Sequence, residues 1–154
     1  MTKKRLFSIL LAFVIAVPCA VSTESEDIER SFHPQAIFVA AYRGDAELVR
    51  EILATFPDKD VRDGFGDTAL HVAIFQKNLL VVKLLLDYGF DPNAKTIRNG
   101  YTPLHNAVAA NNVDAARMLL QFKADKGIKS LDGLTPLDKA RKEEKRALVL
   151  LLYR

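Results

Sequence analysis

The sequence predicts a repeat protein built from short stacked helices, and three observations predict it. First, one segment recurs three times: Gly66-Asp67-Thr68-Ala69-Leu70-His71-Val72-Ala73, Gly100-Tyr101-Thr102-Pro103-Leu104-His105-Asn106-Ala107 and Gly133-Leu134-Thr135-Pro136-Leu137-Asp138-Lys139-Ala140. The intervals are 34 residues from Thr68 to Thr102 and 33 from Thr102 to Thr135. Second, each copy is followed by another apolar stretch, aligned as Val81–Leu86, Ala115–Leu120 and Ala147–Leu152. Third, Leu70, Ala73 and Ile74 follow the i, i+3, i+4 spacing of a helix with one apolar face. A unit of this size cannot bury that face alone, so neighbouring units must supply the core.

In chain order, residues 1–22 read as an export signal. Lys3-Lys4-Arg5 is a basic tip, and Leu6 to Val17 follows with no charge and only Ser8 polar. That run suits a signal peptide and is too short for an ordinary membrane-spanning helix. Pro18 ends it, and Ala20 and Ser22 place small residues correctly for a cut after Ser22; a cut after Ala20 is less favourable. A lipoprotein signal on Cys19 is the alternative, from which Pro18 and Ala16 depart. Cleavage after Ser22 leaves a mature chain without cysteine, indifferent to the redox state of an exported compartment. Residues 23–33 form an acidic leader containing Glu24, Glu26, Asp27 and Glu29. The expected location is a bacterial periplasm or, beyond it, secretion.

From residue 34 to 154 the chain resembles the ankyrin-repeat family, on the Thr-Pro-Leu-His box, its period, and the run Val81 to Lys95, which reads VVKLLLDYGFDPNAK. The resemblance implies an all-α repeat solenoid: helix-turn-helix units joined by β-hairpin loops. About four units are expected, at 34–64, 65–98, 99–131 and 132–154. The first reads Gln35-Ala36-Ile37-Phe38 in place of the box, which suits an N-terminal cap with Pro34 opening its helix. Thr68, Thr102 and Thr135 can cap the first helix of their units, with Pro103 and Pro136 at the first helical position. Ala73, Ala107 and Ala140 let neighbouring helices approach. Gly89 suits a left-handed C-cap and Asn111 tolerates one. Lys123 stands where Gly89 stands one unit earlier, so it must accept positive φ or reshape the turn. Arg98 is the extra residue of the 34-residue interval, so its hairpin should bulge.

Little in the chain points to chemistry. His71 and His105 occupy the box position whose imidazole, by the resemblance, tethers hairpin backbone; the remaining histidine, His33, brings no ligand cluster with it. Ser22, Ser25, Ser31 and Ser130 lie in no nucleophile elbow, and the glycines form no phosphate loop. No catalytic residue, metal or cofactor is expected. Composition is 49% hydrophobic and 27% charged, which excludes disorder, and the single cysteine excludes a disulfide framework. The formal charge of +3 lies in the N-terminal tip: beyond residue 22 there are 19 basic and 19 acidic side chains, which disfavours a nucleic-acid partner. Charge is nevertheless polarised. Residues 23–70 carry 11 acids and 5 bases, a net of −6, and residues 71–154 carry 14 bases and 8 acids, a net of +6.

The resemblance implies a non-catalytic module that binds another protein through hairpin tips and the exposed side of the first helices. Position by position, the binding candidates are Tyr42, Arg43, Phe65, Asp67, Phe75, Gln76, Arg98, Tyr101, Leu134 and Arg141. Aromatic anchors among them would carry most of the affinity. No membrane contact is expected once the signal is removed. Alternatives are a secreted factor that binds a host protein and an enzyme with a site on the concave face. The last helix raises one further expectation: Val149, set where earlier units carry Arg50, Lys83 and Arg117, should turn with Leu152 partly to water or dock to a second copy or to the partner.

Overall fold

A threonine box begins each of three helices, and the same turn ends six. In the computed structural model, which describes residues 35–55 and 58–153, eight helices are present among the described residues. They are α1 (Ala36–Arg43), α2 (Ala46–Thr55), α3 (Ala69–Phe75), α4 (Leu79–Asp87), α5 (Pro103–Ala109), α6 (Val113–Gln121), α7 (Pro136–Lys142) and α8 (Arg146–Tyr153). The segments expected to be an export signal (1–22) and an acidic leader (23–33), with Cys19, His33 and Pro34, lie outside the described residues. Odd-numbered helices pack on one another in one layer, α1 on α3, α3 on α5 and α5 on α7. Even-numbered helices do the same in the other, from α2 to α8. Two layers of short helices from successive units make an all-α solenoid.

At the helix starts, Thr102 Oγ1 accepts from His105 N–H at 3.4 Å and Thr135 Oγ1 from Asp138 N–H at 3.2 Å. Each box also works in reverse, because Thr68 N–H and Thr102 N–H donate to Nδ1 of His71 and His105, both at 3.2 Å. Orphan donors of the first turn are thereby satisfied on both sides. At the helix ends, α1, α3, α4, α5, α6 and α7 each close with paired 6→1 and 5→2 bonds around a residue at positive φ. Those residues are Gly44, Lys77, Gly89, Asn111, Lys123 and Glu144. Lys123 does take the left-handed conformation, at φ 63°. Lys77 and Glu144 do so too, although neither residue type advertises it.

The core is the seam between the layers. Leu70, Ile74, Leu85, Leu104, Leu119 and Leu148 are fully buried, as are Ala73, Ala107 and Ala140 where first helices meet. Emptying one large site, as in Leu104→Ala, costs about 2–5 kcal/mol in such a core.

The hairpins are tighter than the expectation of β-hairpins. No strand forms among the described residues, because each loop is closed across a single residue pair. Asp63 N–H donates to Asp67 O at 3.0 Å, Thr96 N–H to Tyr101 O at 2.9 Å, and Ser130 N–H to Leu134 O at 2.9 Å. The middle loop is one residue longer, which is the expected bulge around Arg98. Successive hairpins stack through glycine: a Cβ on Gly66 would lie 2.7 Å from Ile97 N.

The register expected for α8 is corrected by one residue. Lys145 N–H bonds Ala140 O as Asn112 N–H bonds Ala107 O and Asn78 N–H bonds Ala73 O. Leu148 is therefore the counterpart of Val81 and Ala115, and Leu150 that of Lys83 and Arg117. Val149 is half-buried against the core and Leu152 is buried. The apolar residues that face water are Leu150, 70% exposed, and Tyr153, 74% exposed.

Candidate functional site

The first helices and hairpins of the first three units enclose a cleft of about 360 Å³. Tyr42 comes to it from the last turn of α1, Phe65 and Asp67 from the first hairpin, and Phe75 and Gln76 from the end of α3. Arg98 and Tyr101 come from the second hairpin. These seven expected residues share one concavity although 59 positions separate the first from the last. The other three stand elsewhere. Arg43 and Arg141 are exposed outside the cleft lining, and Leu134 is half-buried, its carbonyl occupied by Ser130 and His105.

Val72, Thr96, Asn99 and Asn106 also line the cleft, and the sequence reading passed over them. Val72 and Asn106 each stand four residues after their box threonine, a row that continues in Lys139. The fixed spacing from the box threonine is the signal that marks this row in the sequence.

The aromatic walls differ in exposure and contacts. Tyr42, Phe65 and Phe75 are about three-fifths exposed, at 62%, 59% and 58%. Phe65 and Phe75 thus do not fold back onto adjacent units, and the Arg98 guanidinium lies over the Phe65 ring at 5.5 Å. Tyr101 is held firmly. Its ring stacks on His105 at 5.3 Å and 18°, Lys139 Nζ lies 4.8 Å from the ring centre, and the same Nζ donates to Tyr101 Oη at 3.0 Å. Lys139 is fixed by Glu143 at 2.6 Å, and Glu143 by Lys145, also at 2.6 Å. A side chain held in place before binding loses little entropy on contact.

The histidines serve the scaffold. With Nδ1 accepting from threonine N–H, the proton sits on Nε2, which donates to the next hairpin: His71 to Tyr101 O at 3.3 Å and His105 to Leu134 O at 3.0 Å. Burial holds His71 down to about 4 and lowers His105 as well. Both are neutral near pH 7, with both ring nitrogens committed to protein partners. Asp67 differs from its neighbours. Burial raises its carboxyl above the usual range, repulsion from Asp63 adds to this, and Arg98 only partly opposes it.

Such a fold and cleft define a helical repeat scaffold. The sequence model of the family described as "Ankyrin repeats (many copies)" matches residues 37–79 and 71–120, more than half the chain. The chain belongs to the ankyrin-repeat family, whose repeats generally mediate protein–protein interaction without catalysis. It is 44% identical over 78 residues to "Putative ankyrin repeat protein FPV031" of Fowlpox virus, covering 47% of this chain and 23% of that protein. It is 39% identical over 97 residues to "Protein phosphatase 1 regulatory subunit 27" of Mus musculus, 62% of each chain. Over 124 residues it is 27% identical to "Cyclin-dependent kinase inhibitor 2A" of Monodelphis domestica, 80% of this chain and 72% of that one. The chain spans less than a quarter of the length of the first relatives it matches.

Proposed function

We propose that this chain is an exported, non-catalytic binding protein whose concave cleft holds one partner protein. The observation that supports this reading is the cleft itself: three exposed aromatic rings and a fourth fixed in place, on a scaffold whose buried histidines are already committed to hairpin backbone. Exposed aromatics beside an immobilised one fit the anchor-and-rim anatomy of protein recognition. Export rests on residues 1–22, and the periplasm or the medium is the proposed location. The experiment is capture of partners on the immobilised protein from that compartment, repeated with Phe75→Ala and Tyr101→Ala. The captured protein should bind the doubly substituted chain at least about tenfold more weakly, at unchanged fold. Equal capture by both would move the site to another face. N-terminal sequencing of exported material should begin at Thr23; a soluble cytoplasmic form that retains Lys3 would defeat the export claim.

A second copy is a further proposed partner, through α8, because Leu150 and Tyr153 present adjoining exposed apolar side chains there. Leu150→Lys should abolish a concentration-dependent dimer in sedimentation. A monomer at high concentration before substitution would contradict it.

A further inference from the structure

We propose that Asp67 is the receptor for a lysine or arginine side chain of the partner, so that the cleft selects protein segments in which a basic residue is flanked by apolar ones. The inference rests on the cleft being the binding site. Its starting point is a carboxylate with no assigned work. The Asp67 backbone is fixed by the hairpin, its N–H donating to Asp63 Oδ1 at 2.9 Å and its carbonyl accepting from Asp63 N–H at 3.0 Å. Among the described residues its carboxylate makes no hydrogen bond and no ion pair within 4.0 Å. The other two acids of the closed hairpins are occupied: Asp63 by two backbone N–H groups and Asp132 by Ser130 Oγ.

The nearby guanidinium groups make no ion pair with it within 4.0 Å, although the charge of Arg98 acts on its carboxyl. Arg62 donates to Gly66 O and Lys95 O, both at 2.9 Å, and Arg98 lies over Phe65. Asp67 is thus half-buried and unpaired in a cleft walled by aromatic rings. An apolar side chain over it would remove its water and give nothing back, and an acidic one would add repulsion. A cation answers both features at once, since aromatic faces and carboxylate attract it together. Charge at larger scale agrees: residues 35–70, which supply Tyr42, Phe65 and Asp67, carry 7 acids and 4 bases, a net of −3. Phe65 and Phe75, which line the same cleft, suit apolar flanks.

The test titrates the full chain into fluorescein-labelled nonapeptide pools, degenerate except for a central Lys, Arg, Gln or Glu, and reads polarisation. The Lys and Arg pools should bind about tenfold more tightly than the Gln pool. Asp67→Asn should bring all four within about twofold, and the exposed control Asp114→Asn should leave the preference intact. A Gln pool that binds as well as the basic pools, or a basic preference that survives Asp67→Asn, overturns the inference and leaves the cleft as a protein site of other specificity. Absence of binding by every pool also overturns it. The broader reading would then stand or fall separately, on whether Phe75→Ala releases the captured partner.

Discussion

At the residue scale, the histidine pair links the scaffold to pH. The folded-state values of His71 and His105 lie below their ordinary 6.5, so each contributes stability above pH 6.5. That contribution is lost as pH falls through 6.5 towards the folded value, about 4 for His71. The loss from His71 alone is up to about 3 kcal/mol. Urea midpoints should drop between pH 7 and 4, and His71→Gln should flatten the slope while lowering stability at pH 7. An unchanged slope would mean that the His71 ring titrates alike in the folded and unfolded states. Asp67 has the opposite sign. Its folded value is raised, so its ionised form weakens the fold above that value, and the penalty is relieved as pH falls through it. Asp67→Asn should therefore raise the melting temperature at pH 7, as expected where a binding group is kept at some cost to stability.

The left-handed residues belong to the same scale. Gly44, Lys77, Asn111 and Glu144 occupy one repeat position, between the two helices of each unit, at φ 73°, 61°, 51° and 55°. A side chain there costs about 1–2 kcal/mol, partly offset by the greater freedom glycine loses on folding. Lys77→Gly and Glu144→Gly should each stabilise by up to about 1 kcal/mol in denaturant titrations. Asn111 was legible as such a residue because asparagine tolerates this conformation; Lys77 and Glu144 were not, because the paired helix-end bonds impose it on whatever residue stands there.

At the scale of elements, each unit is tied to the next by two kinds of side chain. Forward, a histidine reaches the following hairpin. Backward, the residue that opens the second helix reaches the end of the preceding unit's first helix. Asn78 Nδ2 donates to Ala41 O at 2.9 Å, Asn112 Nδ2 to Ile74 O at 3.2 Å, and Lys145 Nζ to Val108 O and Ala109 O at 2.5 and 2.9 Å. The lysine brings a cation to the negative end of α5 as well as a hydrogen bond. The forward tie was readable from the Thr-Pro-Leu-His box. The backward tie was not, since Asn, Asn and Lys share no obvious chemistry until their common target is seen. Asn112 is 6% exposed, so Asn112→Ala should cost about 1–3 kcal/mol by leaving buried carbonyl and N–H groups unpaired. Lys145→Met should lower stability and also loosen Tyr101, through Glu143 and Lys139. A drop in stability with Tyr101 ring dynamics unchanged by NMR would break that chain of contacts. The register of α8 was misread for a related reason. A run of Leu148-Val149-Leu150-Leu151-Leu152 carries no polar residue to mark its outer face, so only the backbone bond at Lys145 fixes it.

At the scale of the whole molecule, the repeat, its period and its bulge at Arg98 were all legible, because they depend on spacing. Seven of the ten binding candidates fall in one cleft for the same reason: a repeat places equal positions on one face. What spacing does not show is which side chains are held and which are free. Tyr101 is fixed by residues 38 and 42 positions away, Lys139 and Glu143, and Asp67 stands out only once its neighbours' partners are known. The central claim is that a partner protein occupies the concave cleft. Its most direct test places a photo-crosslinking benzoyl-phenylalanine at Phe75 inside the cleft, and separately at Leu80, which is 62% exposed outside it. Irradiation in the producing cells should join one discrete protein to the chain from position 75 and none from position 80. Adducts from position 80 with none from position 75 would contradict the account.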